Sequence, residues 1–206
     1  MPYIKIPKTP AGNLDLLNPS WLRYRSIHSY TRDVAIPIIR SGKTTAVQHI
    51  GSAVIKNGKM VGQITSDETL LFNAFKGEST QGKIEVLDHA SVLIISNSLD
   101  TKSEMSGSKP ILKSKLKLKV VILETKGNPT SELIKQELDA MLTEKFNQMF
   151  ARLQASGADI LGTGQYFRHK IPRAQLKSWR TEYYPKLKLD LQVNANIENT
   201  GFLNMR

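Results

Sequence analysis

Apolar and polar residues alternate strictly in two stretches of the chain, residues 112–122 and 187–197. Successive side chains of a strand point to opposite faces, so each stretch predicts a β-strand with one buried and one exposed face. We expect the strand at 187–197 to pair antiparallel with its neighbour. In the first stretch one face consists of Leu116, Leu118, Val120 and Ile122. The opposite face consists of four lysines: Lys113, Lys115, Lys117 and Lys119.

Shorter apolar runs predict five further strands, at residues 34–39, 47–55, 59–64, 82–87 and 91–95. Asn57-Gly58 separates the second and third of these runs, and this pair favours the positive φ angles of a type I′ hairpin turn. Pro37 lacks a backbone donor, which places the first run at a sheet edge. Residues 96–109 are mostly polar and are predicted to form a flexible loop.

Helical patterns occupy the rest of the chain. A first helix is expected to begin at Ser66, which would cap it, and to stop at Gly77. A long helix opens at residues 128–131 and runs to about Ser156, with Gly157 as its left-handed cap. Its apolar stripe at three- and four-residue spacing predicts packing across one sheet face. Two short helices follow, at residues 165–168 and 172–183.

These elements predict an α+β fold: a mainly antiparallel sheet with a long amphipathic helix and shorter helices packed on one face. Residues 1–40 are expected to be an arm or linker, or the remnant of a preceding domain. Residues 41–206 are expected to form the α+β domain.

The corner between the long helix and the short helices contains Asp159, Gly162 and Gly164. Glycines in this spacing raise the question of a phosphate cradle, but such a cradle needs a preceding strand and a third glycine. Here a helix precedes them and Phe167 occupies the third place. We therefore favour a structural corner in which the glycines permit close helix packing and Asp159 caps the next turn or accepts backbone N–H groups.

Known catalytic patterns are missing from the sequence. The chain has no cysteine, and its four histidines form no metal-binding pair. Gly42-Lys43-Thr44 resembles part of a phosphate-binding loop, but Pro37 stands where that loop needs a glycine. The sequence predicts a protein that is not an enzyme and has no cofactor.

The net charge of +11 allows three interpretations: a solvated surface, contact with an anionic membrane surface, or nucleic-acid binding. No aromatic residue interleaves the four lysines, so base stacking has no support and nucleic-acid binding is disfavoured. A solvated strand face is favoured over an anionic-surface contact for these lysines.

Short motifs in a fixed order resemble the Ger(x)C family, the C subunit of nutrient germinant receptors of spore-forming bacteria. The resemblance covers about residues 34–206. Its motifs are residues 50–62, Asp67-Glu68-Thr69, residues 159–164, Pro172, Trp179, Tyr184-Pro185 and Thr200-Gly201. Asp159, Gly162, Gly164, Trp179 and Gly201 are the family's structural signature. Thr163 departs from it, since an aromatic is common there, and is expected to loosen local packing.

The resemblance implies a lipoprotein at the outer face of the spore inner membrane, working with A-type and B-type membrane subunits in nutrient sensing, without catalysis. The family's signal peptide, lipid-bearing cysteine and N-terminal region have no counterpart here, so a truncated, soluble ectodomain is expected. Two alternatives remain open. One is a direct nutrient-binding module that uses the aromatics near the corner: Tyr166, Phe167, Trp179, Tyr183 and Tyr184. The other is a basic binder of anionic surfaces or nucleic acid.

Overall fold

The strands of the computed structural model divide between two sheets, and the structure describes residues 30–41, 47–78, 82–86 and 90–198. The first sheet is antiparallel with the order β1-β2-β3. Its strands are β1 (Val34–Arg40), β2 (Gln48–Lys56) and β3 (Lys59–Thr65). Strand β1 lies at an edge, as Pro37 predicted.

Two local features of this sheet follow directly from its glycines and asparagine. Asn57 and Gly58 have φ angles of 50° and 73°, which gives the predicted turn between β2 and β3. Gly51 has a φ of 138°, and a Cβ on it would lie 2.2 Å from the carbonyl oxygen of Ile64. The β2 backbone therefore approaches β3 more closely than a side chain would allow.

Helix α1 (Ser66–Phe75) follows β3 directly. The prediction that Ser66 caps it is wrong by one residue, because Thr65 is the N-cap. The Thr65 hydroxyl accepts from the Glu68 N–H, and the Glu68 carboxylate accepts from the Thr65 N–H. This reciprocal capping box satisfies two donors that the helix start would otherwise leave unpaired.

The second sheet has the order β4-β5-β6-β7. Its strands are β4 (Gly82–Val86), β5 (Ala90–Ser106), β6 (Lys109–Thr125) and β7 (Lys188–Ile197). The predicted loop at 96–109 is wrong: β5 and β6 are antiparallel strands of 17 residues each, joined at Gly107-Ser108. The polar composition misled because one face of β5 is open to solvent, while Leu99 and Met105 on the other face pack against the core.

Strand β7 pairs parallel with β6, so the predicted antiparallel pairing is also wrong. The chain returns from the end of β6 along helix α2 (Ser131–Ser156), whose 26 residues span about 39 Å. Strand β7 then starts beside the beginning of β6, with Lys188 opposite Ile111. A helical crossover of this length is the connection that parallel pairing needs.

Helix α2 packs its apolar stripe on the second sheet, as predicted. The stripe residues are at most 3% exposed: Ile134, Leu138, Leu142, Phe146, Met149 and Leu153. On the same helix, Asp139 accepts a 2.6 Å hydrogen bond from the N–H of Ala195. This bond ties the helix to β7, the edge strand.

Short helical turns connect α2 to β7. They are a 3₁₀ helix (Thr163–Phe167), α3 (Arg173–Leu176), a π-helical turn (Trp179–Tyr183) and a second 3₁₀ helix (Tyr184–Lys186). The helix expected over 172–183 is thus two pieces. Among the described residues, no helix combines the length and apolar character needed to cross a membrane.

The α+β class is confirmed, with an antiparallel first sheet and a mixed second sheet. Strand β1, on the N-terminal side of the predicted division at residue 40, pairs with β2 on the other side. The division into an arm and a domain stays a prediction.

Candidate functional site: the corner and the lysine face

Asp159 is the centre of the corner and is completely buried. Its Oδ1 accepts from the N–H of Thr163 at 2.9 Å. Its Oδ2 accepts three hydrogen bonds, from the Thr163 hydroxyl at 2.8 Å, the Gly164 N–H at 3.0 Å and Trp179 Nε1 at 2.9 Å. One carboxylate thus holds the start of the 3₁₀ helix and the indole of the π-helical turn together.

Glycines make this geometry accessible to the backbone. Gly157 ends α2 with a φ of 67°, and Gly162 precedes the 3₁₀ helix with a φ of 70°. A Cβ on Gly164 would lie 2.7 Å from Trp179 Nε1. The left-handed turns redirect the chain, and the missing side chain at Gly164 lets the indole reach Asp159.

The electrostatics of the corner are those of a buried acid held by neutral donors. Burial raises the pKa of Asp159, while the hydrogen bonds from Gly164, Thr163 and Trp179 oppose that rise. Thr163 is itself fully buried. Looser packing was predicted at Thr163, but in the structure its side chain is buried and its hydroxyl donates to Asp159.

Asp33 joins the corner from the beginning of the described chain. The N–H of Asp33 donates to the Asp159 carbonyl at 2.9 Å, and the N–H of Asp159 donates to Asp33 Oδ2 at 2.9 Å. Arg180 Nε donates to Asp33 Oδ2 at 2.9 Å, and an Arg180 guanidinium nitrogen lies 2.8 Å from Asp33 Oδ1. Residues 126 positions apart are thereby fixed to each other.

Sequence reasoning missed Asp33 and Arg180. Neither belongs to a periodic pattern or a recognised motif. Their partnership arises only when the segment before β1 lies against the corner, so no local signal could have identified them.

The aromatics near the corner are mostly core residues. Phe167, Trp179 and Tyr184 are fully buried, and the Phe167 and Trp179 rings stack with centroids 5.2 Å apart. The Tyr184 hydroxyl donates to the Ala158 carbonyl at 3.1 Å. Tyr183 is half-buried and only Tyr166 is exposed. Three of the five aromatics that suggested a nutrient-binding site are therefore core residues.

The four lysines of β6 all lie on the solvent-facing side of the second sheet. Lys113 forms an ion pair with Glu104 at 3.0 Å, and Lys119 forms one with Glu198 at 3.1 Å. Lys115 lies opposite Asp100 in the β5–β6 register. The basic stripe read from β6 alone is thus partly balanced by acids on β5 and just after β7.

The structure places the predicted residues in two separate features. Asp159, Gly162, Gly164 and Trp179 come together at the corner, and the four lysines line the open sheet face. Gly201 lies outside the described residues, as do Gly42-Lys43-Thr44 and two of the histidines. Within the described ranges, no group of three or more His, Cys, Asp or Glu side chains could hold a metal ion.

Comparison with known proteins identifies the family. A family model described as Spore germination B3/GerAC like, C-terminal matches residues 50–201, from near the start of β2 to beyond β7. The chain belongs to this family. The resemblance drawn from motif order is confirmed.

A solved structure supports the fold. The crystal structure of the GerBC protein superposes with a TM-score of 0.74 at 18% sequence identity. The match covers 94% of this chain and 65% of that chain, so the chain spans about two thirds of that protein's length. No curated protein matches the sequence.

Proposed function

We propose that this chain is part of the C subunit of a spore germinant receptor. In this role it acts in germination by associating with A-type and B-type membrane subunits, without catalysis. The family match over residues 50–201 carries the proposal. We propose the outer face of the spore inner membrane as its location.

The state of the buried acids supports a non-enzymatic role. Asp159 is completely buried and all its hydrogen-bond partners are groups of the corner itself. Asp33 is 5% exposed and is held by Arg180 and the Asp159 N–H. A general acid or base has to come within hydrogen-bond reach of a substrate, and neither carboxylate is placed for that. Their geometry fits the construction of a rigid interaction domain.

Co-purification tests the association. The full-length protein would carry an affinity tag in sporulating cells, and spore membranes would be solubilised in mild detergent. We expect the A-type and B-type subunits in the eluate, well above the amount recovered with an unrelated tagged spore lipoprotein. A folded bait that recovers neither subunit above that control would refute the proposed association.

A matched pair of variants would then assign a surface. Lys115→Glu changes the open face of the second sheet, and Asn147→Glu changes the exposed side of α2. Each places one negative charge at an exposed position of a regular element. Selective loss of the partner subunits from one variant, with an unchanged melting temperature, identifies the face that they contact.

A further inference from the structure

Charges divide the open face of the second sheet into two parts. Two adjacent cross-strand rows each consist of a serine from β5, a lysine from β6 and an asparagine from β7. They are Ser96, Lys119 and Asn196, followed by Ser98, Lys117 and Asn194. We call these six residues the amide–lysine rows. The next three rows toward the β5–β6 turn each contain at least one acid: Asp100, then Asp190, then Glu104.

The amide–lysine rows line a shallow open concavity on the sheet surface. Ammonium, primary amide and hydroxyl groups all donate hydrogen bonds to an anion. The two lysines are two residues apart on one strand, which separates their Cα atoms by about 7 Å. A tetrahedral oxyanion between the rows could therefore accept from more than one of them.

The two lysines differ in their ion pairing. Lys119 is paired with Glu198. Among the described residues Lys117 has no ion pair, and its register partners, Ser98 and Asn194, are neutral. Lys117 is thus the cation of this surface whose charge is available to a ligand.

An exposed apolar patch borders the same end of the sheet. Beyond Lys119 the solvent-facing positions of β6 continue with Val121, which is half-buried opposite Leu93. Ile95 and Leu123 occupy the two irregularities in the β5–β6 register, and they are 39% and 46% exposed. The face therefore changes from hydrogen-bond donors and lysine to apolar side chains within a few residues.

We propose that the amide–lysine rows bind the phosphate of an anionic phospholipid at a membrane surface, with Ile95 and Leu123 entering the apolar boundary beneath the headgroups. The open concavity does not enclose a small free anion, and a free anion would make no use of the apolar patch. A phosphate joined to acyl chains uses both. The inference extends the membrane location in the proposed function to one face of the domain.

Vesicle co-sedimentation with the purified chain tests this proposal without the partner subunits. The vesicles would contain either phosphatidylcholine alone or phosphatidylcholine with about one third phosphatidylglycerol, which gives the membrane a dense anionic surface. We expect binding that requires phosphatidylglycerol and weakens as salt rises. Lys117→Gln should reduce the partition coefficient about fivefold, the effect of one lysine near an anionic surface.

Two comparison variants make the test specific to the rows. Lys113→Gln removes the same charge from the same face, but from a lysine already paired with Glu104, and should reduce binding less than twofold, as expected of a screened pair. Glu198→Gln releases Lys119 and should strengthen binding. Leu123→Ser should weaken it at constant charge, because the apolar contact is lost.

The outcomes separate the ligand sources. Equal losses for Lys117→Gln and Lys113→Gln would overturn the proposal in favour of a general basic surface. Full inhibition by millimolar inorganic phosphate at constant ionic strength would show a free-anion site instead. Absence of vesicle binding by a chain that still recovers the partner subunits would refute the lipid site and leave the proposed function standing.

Discussion

Replacing Gly164 with alanine tests how tightly the corner is packed. The new methyl carbon would lie 2.7 Å from both Nε1 and Cε2 of Trp179, and 2.8 Å from Cβ of Thr31. Carbon atoms pack at about 3.5–4.0 Å, so these neighbours would have to move by nearly 1 Å. The indole has little freedom to do so, because Asp159 accepts its N–H and Phe167 stacks on its ring.

The expected cost follows from this rigidity. Overpacking destabilises proteins by about 1–3 kcal/mol, and we expect about 3 kcal/mol for Gly164→Ala because the clash is with a fixed ring and a buried residue. In a chain of this size each kcal/mol lowers the melting temperature by roughly 2–4 °C, so the fall is roughly 6–12 °C. Thermal and denaturant unfolding, followed by circular dichroism, would measure it.

Two other glycines serve as controls. Gly162 has a φ of +70°, but its nearest neighbour is the flexible Arg32 side chain at 3.3 Å. Gly162→Ala should therefore cost only the left-handed backbone term, about 1–2 kcal/mol. Gly62 has open space around it and no positive φ, so Gly62→Ala should change stability by less than about 0.5 kcal/mol. A Gly164→Ala melting temperature equal to that of Gly62→Ala would refute the close-packing argument.

Three further predictions concern single side chains. Asp33→Ala should destabilise the chain by about 3–5 kcal/mol in denaturant unfolding, because it removes the buried carboxylate that pairs with Arg180. Glu104→Ala breaks an exposed ion pair and should cost less than about 1 kcal/mol. Equal effects of the two substitutions would contradict the anchoring role of Asp33. Thr65→Ala should cost about 1 kcal/mol by removing the N-cap of α1, and Thr65→Ser should restore most of it. Burial raises the pKa of Asp159 above its value in the unfolded chain. The contribution of Asp159 to the free energy of unfolding is therefore fully present below about pH 4, and it decreases as pH rises through the folded-state pKa. The stability of the parent relative to Asp159→Asn should therefore fall as pH rises above about 4, and a rise instead would show that the folded-state pKa is lowered.

The sequence by itself determined the features that depend on neighbouring residues. The Asn57-Gly58 turn, the apolar stripe of α2, its cap at Gly157 and the alternation along β6 all appear as predicted. Each is fixed by the φ preference of one or two residues or by the period of a strand or helix. Such preferences act within a few positions and can be read without knowing the partner.

Only the tertiary structure decided how distant segments meet. The polar residues at 96–109 are part of a β-hairpin because Leu99 and Met105 pack against the core and β5 pairs with β6. Strand β7 became parallel because α2 returned the chain to the beginning of β6. Asp33 and Asp159 bond across 126 positions, and two of the four lysines pair with acids, Glu104 on β5 and Glu198 just after β7. A pattern along one strand or helix records which residues share a face, but the partners and charges opposite that face come from elsewhere in the chain.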